Sequence, residues 1–256
     1  MEDFIFSDDR VLLERHGLAS FEALWDLRLP GIDAPNLDRG GWSEVSRLAL
    51  EGRAYYLKRQ RNHLTRSITR PYGEPTFVRE FRAIKRLRTL GVPALDVVFF
   101  ACRRLPGKTP RKVDECAILL TRALDGWRAM DRWLAQWETL SGATRAGLLA
   151  ACGKTARQLH ASGLTHGCFY PKHVFLREAD GGFEATLIDL EKVRPAYLGR
   201  RDRQRDLDQF FRHASALGES EADALLAAYL ACAPENAEVA DWRKRLSKRR
   251  AKKENG

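Results

Sequence analysis

Gly163-Leu164-Thr165-His166-Gly167-Cys168-Phe169-Tyr170-Pro171-Lys172-His173-Val174-Phe175-Leu176 is the stretch on which the reading of this chain turns. It packs two histidines, a cysteine and a lysine between positions 166 and 173. A helical pattern precedes it, Thr144 to Ser162, whose apolar face carries Leu148, Cys152, Ala156 and Leu159. An extended pattern follows: His173 to Leu176 and Ala185 to Leu190 flank Asp180-Gly181-Gly182, a hairpin signal. Isolated histidines are more often satisfied packing groups than catalytic ones, and no third ligand at zinc spacing accompanies His166 and His173. Asp189 ends the second extended run. There it is placed either to hold a metal ion or simply to make a turn.

Upstream, the periodicity is different. Two short helices open the chain, Asp9 to His16 and a second one capped by Ser20 and stopped by Pro30. From Gly40-Gly41-Trp42-Ser43, which has the composition of a turn, the pattern alternates: strands are expected over Val45–Leu50 and Ala54–Arg59. A basic loop is expected from Gln60 to Pro75, then an amphipathic helix from Thr76 to Leu90. Asp96–Cys102 and Ala117–Thr121 are apolar runs of buried-strand length. Lys58 lies near the end of a strand. Glu80 shares a helix face with Phe77 and Ile84, and an inward carboxylate is costly unless a cation meets it. Lys58 is the natural partner. Helices are expected downstream at Ala129–Trp137, Asp206–Ala216 and Glu221–Ala231.

The order is α+β: a β-rich first part with one main helix, then a mostly helical part with a small hairpin. Residues 1–123 form the expected first lobe, 124–242 the second and 243–256 a basic tail. The net charge of +10 is concentrated in that tail, where Arg243 to Lys253 carries eight basic residues and no acidic one, so the remainder is only +2. The apolar fraction of 44% excludes a disordered chain. Five cysteines without a C-x-x-C pair suggest a reducing compartment and no zinc site. With no signal peptide or spanning segment visible, a cytoplasmic location is expected.

Taken together, the ordered motifs resemble a known set. A strand lysine (Lys58), a helix glutamate (Glu80), a loop opening at His166 and an aspartate after a hairpin (Asp189) follow the order of protein-kinase motifs. The wording is more similar to the lipopolysaccharide core kinases, the Kdo/WaaP family with its InaA-type members. That resemblance rests on Gly40-Gly41-Trp42-Ser43, Leu57-Lys58-Arg59-Gln60, Arg79-Glu80-Phe81, Arg86 to Pro93, Asp125-Gly126-Trp127, Pro171-Lys172-His173 and Leu187-Ile188-Asp189-Leu190. It implies a bilobal kinase-like fold and phosphotransfer from ATP with Mg²⁺ to a heptose or Kdo hydroxyl of the lipopolysaccharide core on lipid A.

By position, the resemblance assigns Gly40 and Gly41 to the phosphates and Lys58, steadied by Glu80, to the nucleotide. Thr121 to Leu124, with Thr121 and Ala123 as contacts, would be the hinge against adenine. Asp189 and His173 would hold the metal, His166, Cys168 and Asp189 would form the catalytic set, and Asp206 would brace the loop. The family pattern breaks at Cys168, which stands where an aspartate base is expected. A thiol with an ordinary pKa of about 8.5 is a poor proton acceptor at neutral pH, so a catalytically impaired nucleotide- or glycolipid-binding protein is the alternative. Only 17 positions separate Asp189 from Asp206 and no A-P-E element lies among them, which suits a sugar acceptor better than a peptide. The basic tail reads as a solvated helix end or disordered terminus, or else as a contact with an anionic membrane surface, which would give a peripheral location. Nucleic acid is disfavoured because the body shows no basic stripe with interleaved aromatics.

Overall fold

In the computed structural model, which describes residues 3–67, 70–107 and 113–254, the chain forms two units. The first comprises the chain up to Lys85 with Leu95–Asp125, the second Arg86–Ala94 with the chain from Gly126 onward. The division therefore falls two residues after the expected 123/124. Residues 86–94 go with the second unit, where Pro93 accepts the Leu187 N–H at 3.4 Å and Ala94 bridges Leu187.

The first unit contains β1 (Phe4–Ile5), α1 (Ser7–Arg15), α2 (Phe21–Asp26), β2 (Trp42–Leu50), β3 (Arg53–Arg61), β4 (Leu64–Ser67), β5 (Arg70–Pro75), most of α3 (Thr76–Thr89), β6 (Val97–Pro106) and β7 (Val113–Arg122). Its main sheet runs β1-β6-β7-β3-β2, antiparallel throughout. Leu13, Phe21 and Leu24 of the two opening helices pack on Tyr55, Leu57, Ile118 and Leu120. On the opposite face, Phe81 of α3 stacks on Phe100 of β6 at 4.0 Å between ring centroids. A strand covered on both faces reads as a continuous apolar run, which is why Ala117–Thr121 stood out. The Ser20 side chain accepts the Ala23 N–H as the cap of α2. Residues 60–75, expected as a loop, hold the hairpin β4–β5, with Leu64 opposite Pro75 and Thr65 opposite Glu74. Pro71, Gly73 and Pro75 disguise it, because they interrupt the alternation by which a strand is recognised.

The second unit contains β8 (Arg128–Ala129), α4 (Met130–Leu134), α5 (Gly142–Ala161), β9 (Leu164–Thr165), β10 (Val174–Ala179), β11 (Gly182–Leu187), β12 (Arg194–Pro195), α6 (Arg200–Arg212), α7 (Glu219–Leu230) and α8 (Ala237–Glu254). α5 and α7 approach closely at Gly153, where a Cβ would fall 2.5 Å from the Leu225 carbonyl oxygen. The helix expected over 129–137 is the short α4, with a separate 3₁₀ turn at Trp137–Thr139. α6 begins six residues before Asp206. The basic stretch from Arg243 is helical and docked: Val239, Trp242 and Leu246 of α8 are buried, Arg243 pairs with Glu219 and Asp223, and Arg249 pairs with Asp208. Its arginines alternate with an apolar stripe, which a count of charges conceals.

The segment leading into α6 is fixed by one ion pair. Asp202 accepts two guanidinium hydrogen bonds from Arg194, at 2.8 and 3.2 Å, and the Leu198 N–H at 3.0 Å. These donors hold the Asp202 carboxyl, ordinarily at 3.8, down at about 2. A folded-state value below the unfolded one stabilises the fold above the unfolded pKa, and that stability is lost as pH falls through the folded value. Asp202→Asn is therefore expected to cost about 2 kcal/mol at pH 7. The difference from wild type in urea melts should shrink as pH falls from about 4 towards 2.

Candidate functional site

In the first unit the site is built by three consecutive residues of β3. Lys58, opposite Val45 and Leu119, faces α3, and its Nζ donates to Glu80 Oε1 at 2.7 Å. The Glu80 side chain is 3% exposed and that of Lys58 17%, so the carboxylate is sealed while the ammonium keeps an opening to solvent. Arg59 points the other way, pairs with Glu44 at 2.6 Å, and donates to the carbonyls of Trp25 and Leu27 at the C-terminal end of α2. Gln60 returns to the α3 face. Its side-chain oxygen accepts the Phe77 N–H at 2.7 Å in the first turn of α3, and its amide donates to the His63 carbonyl. One strand thus pins the start of α3 and, through it, Glu80. Removing one partner of a buried pair of this kind costs about 3–5 kcal/mol.

The other residues assigned to nucleotide have local reasons of their own. Gly40 has φ of 72°, and a Cβ on Gly41 would lie 2.3 Å from the Arg61 carbonyl oxygen, so this turn needs two glycines to lie against the end of β3. Thr121 is buried within β7, opposite Tyr56 and Val97. The Ala123 N–H is given to the Ala54 carbonyl at 2.9 Å.

In the second unit the loop after β9 is organised by Asp206. Its carboxylate accepts the backbone N–H of His166 at 2.6 Å and of Gly167 at 3.0 Å, and lies 3.2 Å from His160 Nε2. His160 in turn meets the Tyr229 hydroxyl at 3.1 Å through Nδ1. Burial pushes that hydroxyl up to about 12, so it stays protonated and donates. The sequence reading missed His160, as it missed the role of Gln60; a histidine beside Leu159 on an otherwise apolar helix face was the signal. His166 is fully buried, its Nε2 donating to the Ile188 carbonyl at 3.0 Å and its Nδ1 accepting the Cys168 N–H at 3.3 Å. Burial lowers its pKa. Both ring nitrogens are hydrogen-bonded within the protein, so His166 holds the loop in position.

His173 and Asp189 face each other. His173 Nδ1 lies 2.8 Å from the Cys168 carbonyl, which can only accept, so that nitrogen carries the proton. Its Nε2 is 3.3 Å from the Asp189 carboxylate, and burial lowers the ring's pKa. A neutral imidazole therefore turns a lone pair toward a carboxylate, an arrangement that a cation completes. Asp189 is presented from a left-handed backbone, φ 58° and ψ 55°, at the head of a 3₁₀ turn (Leu190–Lys192). Such strain at a non-glycine residue persists only where the surroundings enforce it. A carboxylate with one further side-chain ligand fits Mg²⁺, which commonly takes one or two protein ligands and fills its shell with phosphate and water oxygens. Cys168 is buried. That burial pushes its thiol up against the opposing pull of a hydrogen bond from Lys192, so the group at the expected base position is a neutral thiol beside an ammonium.

The chain as a whole is similar to known proteins. Protein InaA of Escherichia coli (strain K12) is 29% identical over 215 residues, covering 82% of this chain and 95% of that protein. The solved structure of WaaP in complex with acyl carrier protein superposes with a TM-score of 0.68 over 97% of this chain and 99% of that one, at 19% identity, and shows the bilobal kinase-like fold. No helix among the described residues is long and apolar enough to cross a membrane. The lipopolysaccharide kinase (Kdo/WaaP) family matches residues 22–229, and the chain belongs to that family.

Proposed function

We propose that the protein transfers the γ-phosphoryl group of ATP to a hydroxyl of a lipopolysaccharide inner-core sugar, heptose or Kdo, carried on lipid A. The observation that carries the reading is the Lys58–Glu80 pair, whose acid is sealed and whose ammonium remains open. An ammonium so held neutralises phosphate charge without reorganising during the reaction. In the second unit Asp189, with His173, would hold Mg²⁺, which supplies charge neutralisation at the transferring phosphoryl group when bound. Asp206 and His166 keep the loop in place. Between Asp189 and Asp206 the chain forms only a 3₁₀ turn, β12 and the start of α6, which supports a small acceptor. A lipid-linked acceptor would put the protein at the cytoplasmic surface of the inner membrane.

Cys168 favours a second reading. A neutral thiol accepts no proton from the acceptor hydroxyl, and a missing general base costs about 10²–10⁴-fold. Positioning and charge neutralisation would leave a slow enzyme. A protein retained only to bind nucleotide or core glycolipid would show no turnover.

ADP release from the purified protein with ATP, Mg²⁺ and core oligosaccharide separates these readings. Slow turnover is expected, falling about 10²–10³-fold in Lys58→Ala and in Asp189→Ala. Cys168→Asp is expected to raise it about 10²-fold or more, by restoring a carboxylate base. ATP-dependent thermal stabilisation, with no turnover in wild type or in Cys168→Asp, would establish the binding protein instead.

A further inference from the structure

Immediately before α6 the chain exposes two large apolar side chains in succession, Tyr197 at 78% and Leu198 at 57%. The segment carrying them is tightly held. Asp202 takes the Leu198 N–H and the Arg194 guanidinium, Ala196 donates to the Gly163 carbonyl, and Gly199 donates to the Ala196 carbonyl. Exposure here is therefore built into the fold. The Leu198 carbonyl accepts the Arg201 N–H at 3.1 Å, so the apolar pair sits one turn ahead of Arg201. Arg205, four residues on, continues the same face of α6. Both arginines are exposed, and among the described residues neither has a carboxylate at ion-pair distance. The acidic residues of α6 (Asp202, Asp206 and Asp208) are all buried, against Arg194, the loop at His166 and Gly167, and Arg212 with Arg249. The outward charge of this face is thus wholly positive, while α8 spends Arg243, Arg245 and Arg249 on internal pairs.

We infer that Tyr197, Leu198, Arg201 and Arg205 form a docking surface for an anionic lipid bilayer. An aromatic and an aliphatic tip beside unpaired guanidinium groups match the two layers of a membrane interface: the tips enter the acyl boundary and the cations meet the headgroups. Two adjacent apolar side chains exposed to this degree, flanked by guanidinium groups, favour a fluid anionic surface over a folded acidic protein. The inference deepens the proposed function, on which it rests for the lipid-linked nature of the acceptor. It moves the membrane contact from the basic C-terminal stretch to the segment that follows Asp189. The inner side of α6 holds the loop at His166, so docking by its outer side would keep that loop one helix diameter, about 10–12 Å, from the membrane surface.

Co-sedimentation of the full-length protein with sucrose-loaded phosphatidylcholine vesicles containing about 30% phosphatidylglycerol tests this without ATP. Binding is expected to anionic vesicles, weakened by raising the salt and lost on pure phosphatidylcholine. Arg201→Glu/Arg205→Glu and, separately, Tyr197→Ser/Leu198→Ser are each expected to weaken it at least about ten-fold. Hydrogen exchange of the wild-type protein should slow at residues 195–205 when vesicles are added. Absence of binding overturns the proposal. So does binding that survives both double variants, or that is lost only in Lys244→Glu/Lys248→Glu, or slowed exchange confined to another surface. Turnover on free core oligosaccharide is read separately: vesicle binding without turnover sinks the kinase reading and leaves the docking surface standing, and the converse sinks the docking surface alone.

Discussion

A carboxylate buried in the middle of a helix has to find donors, and much of the second unit is arranged around the ones that Asp206 finds. It is 2% exposed and accepts two successive backbone N–H groups from the loop at His166 and Gly167 while also meeting the His160 ring. A buried charge without such partners would cost several kcal/mol. The loop cannot leave Asp206 without exposing that cost, so its path is fixed before any ligand arrives. His160 ties the cluster to α5 and Tyr229 ties it to α7, so that three helices and the loop share one polar network in an otherwise apolar interior. Within that frame His166 settles the position of Ile188, the residue before Asp189, through its bond to the Ile188 carbonyl.

The first unit solves a comparable problem in a different way. β3 alternates faces, so Lys58, Arg59 and Gln60 distribute their side chains between α3 and the end of α2. Gln60 caps the start of the helix that carries Glu80, and Lys58 meets Glu80 from the same face. The geometry of the ion pair is therefore secured by a neighbour two residues away, which has no charge at all. An amide at that position holds the helix start by hydrogen bonding with little desolvation cost.

Cys168 departs from this economy of charges. Its thiol is buried and neutral, with Lys192 beside it, in a loop held by Asp206, His166 and His173. The loop is held in place while its buried thiol, being neutral, is a poor proton acceptor. Such a combination places the emphasis of any catalysis on positioning and on charge neutralisation, which together supply most of the rate in phosphoryl transfer.

Much of the fold was legible from periodicity. The alternation from Trp42 onward, the amphipathic run of α3 and the Asp-Gly-Gly hairpin each encode a local preference that packing reinforces. The β4–β5 hairpin was not legible, because prolines and a glycine replace its alternation, nor was the docking of α8, because its buried Val239, Trp242 and Leu246 are spread among charges. The site divided in the same way. Residue types and order pointed to Lys58, Glu80, Asp189 and Asp206. Only the tertiary structure decided that His166 has no free ring nitrogen, that the Ala123 amide is already taken, and that His160 and Gln60 belong to the supporting network. The physical reason is that a sequence fixes which groups can donate or accept, whereas the partner that satisfies each one is chosen by chain segments that meet only when the core closes.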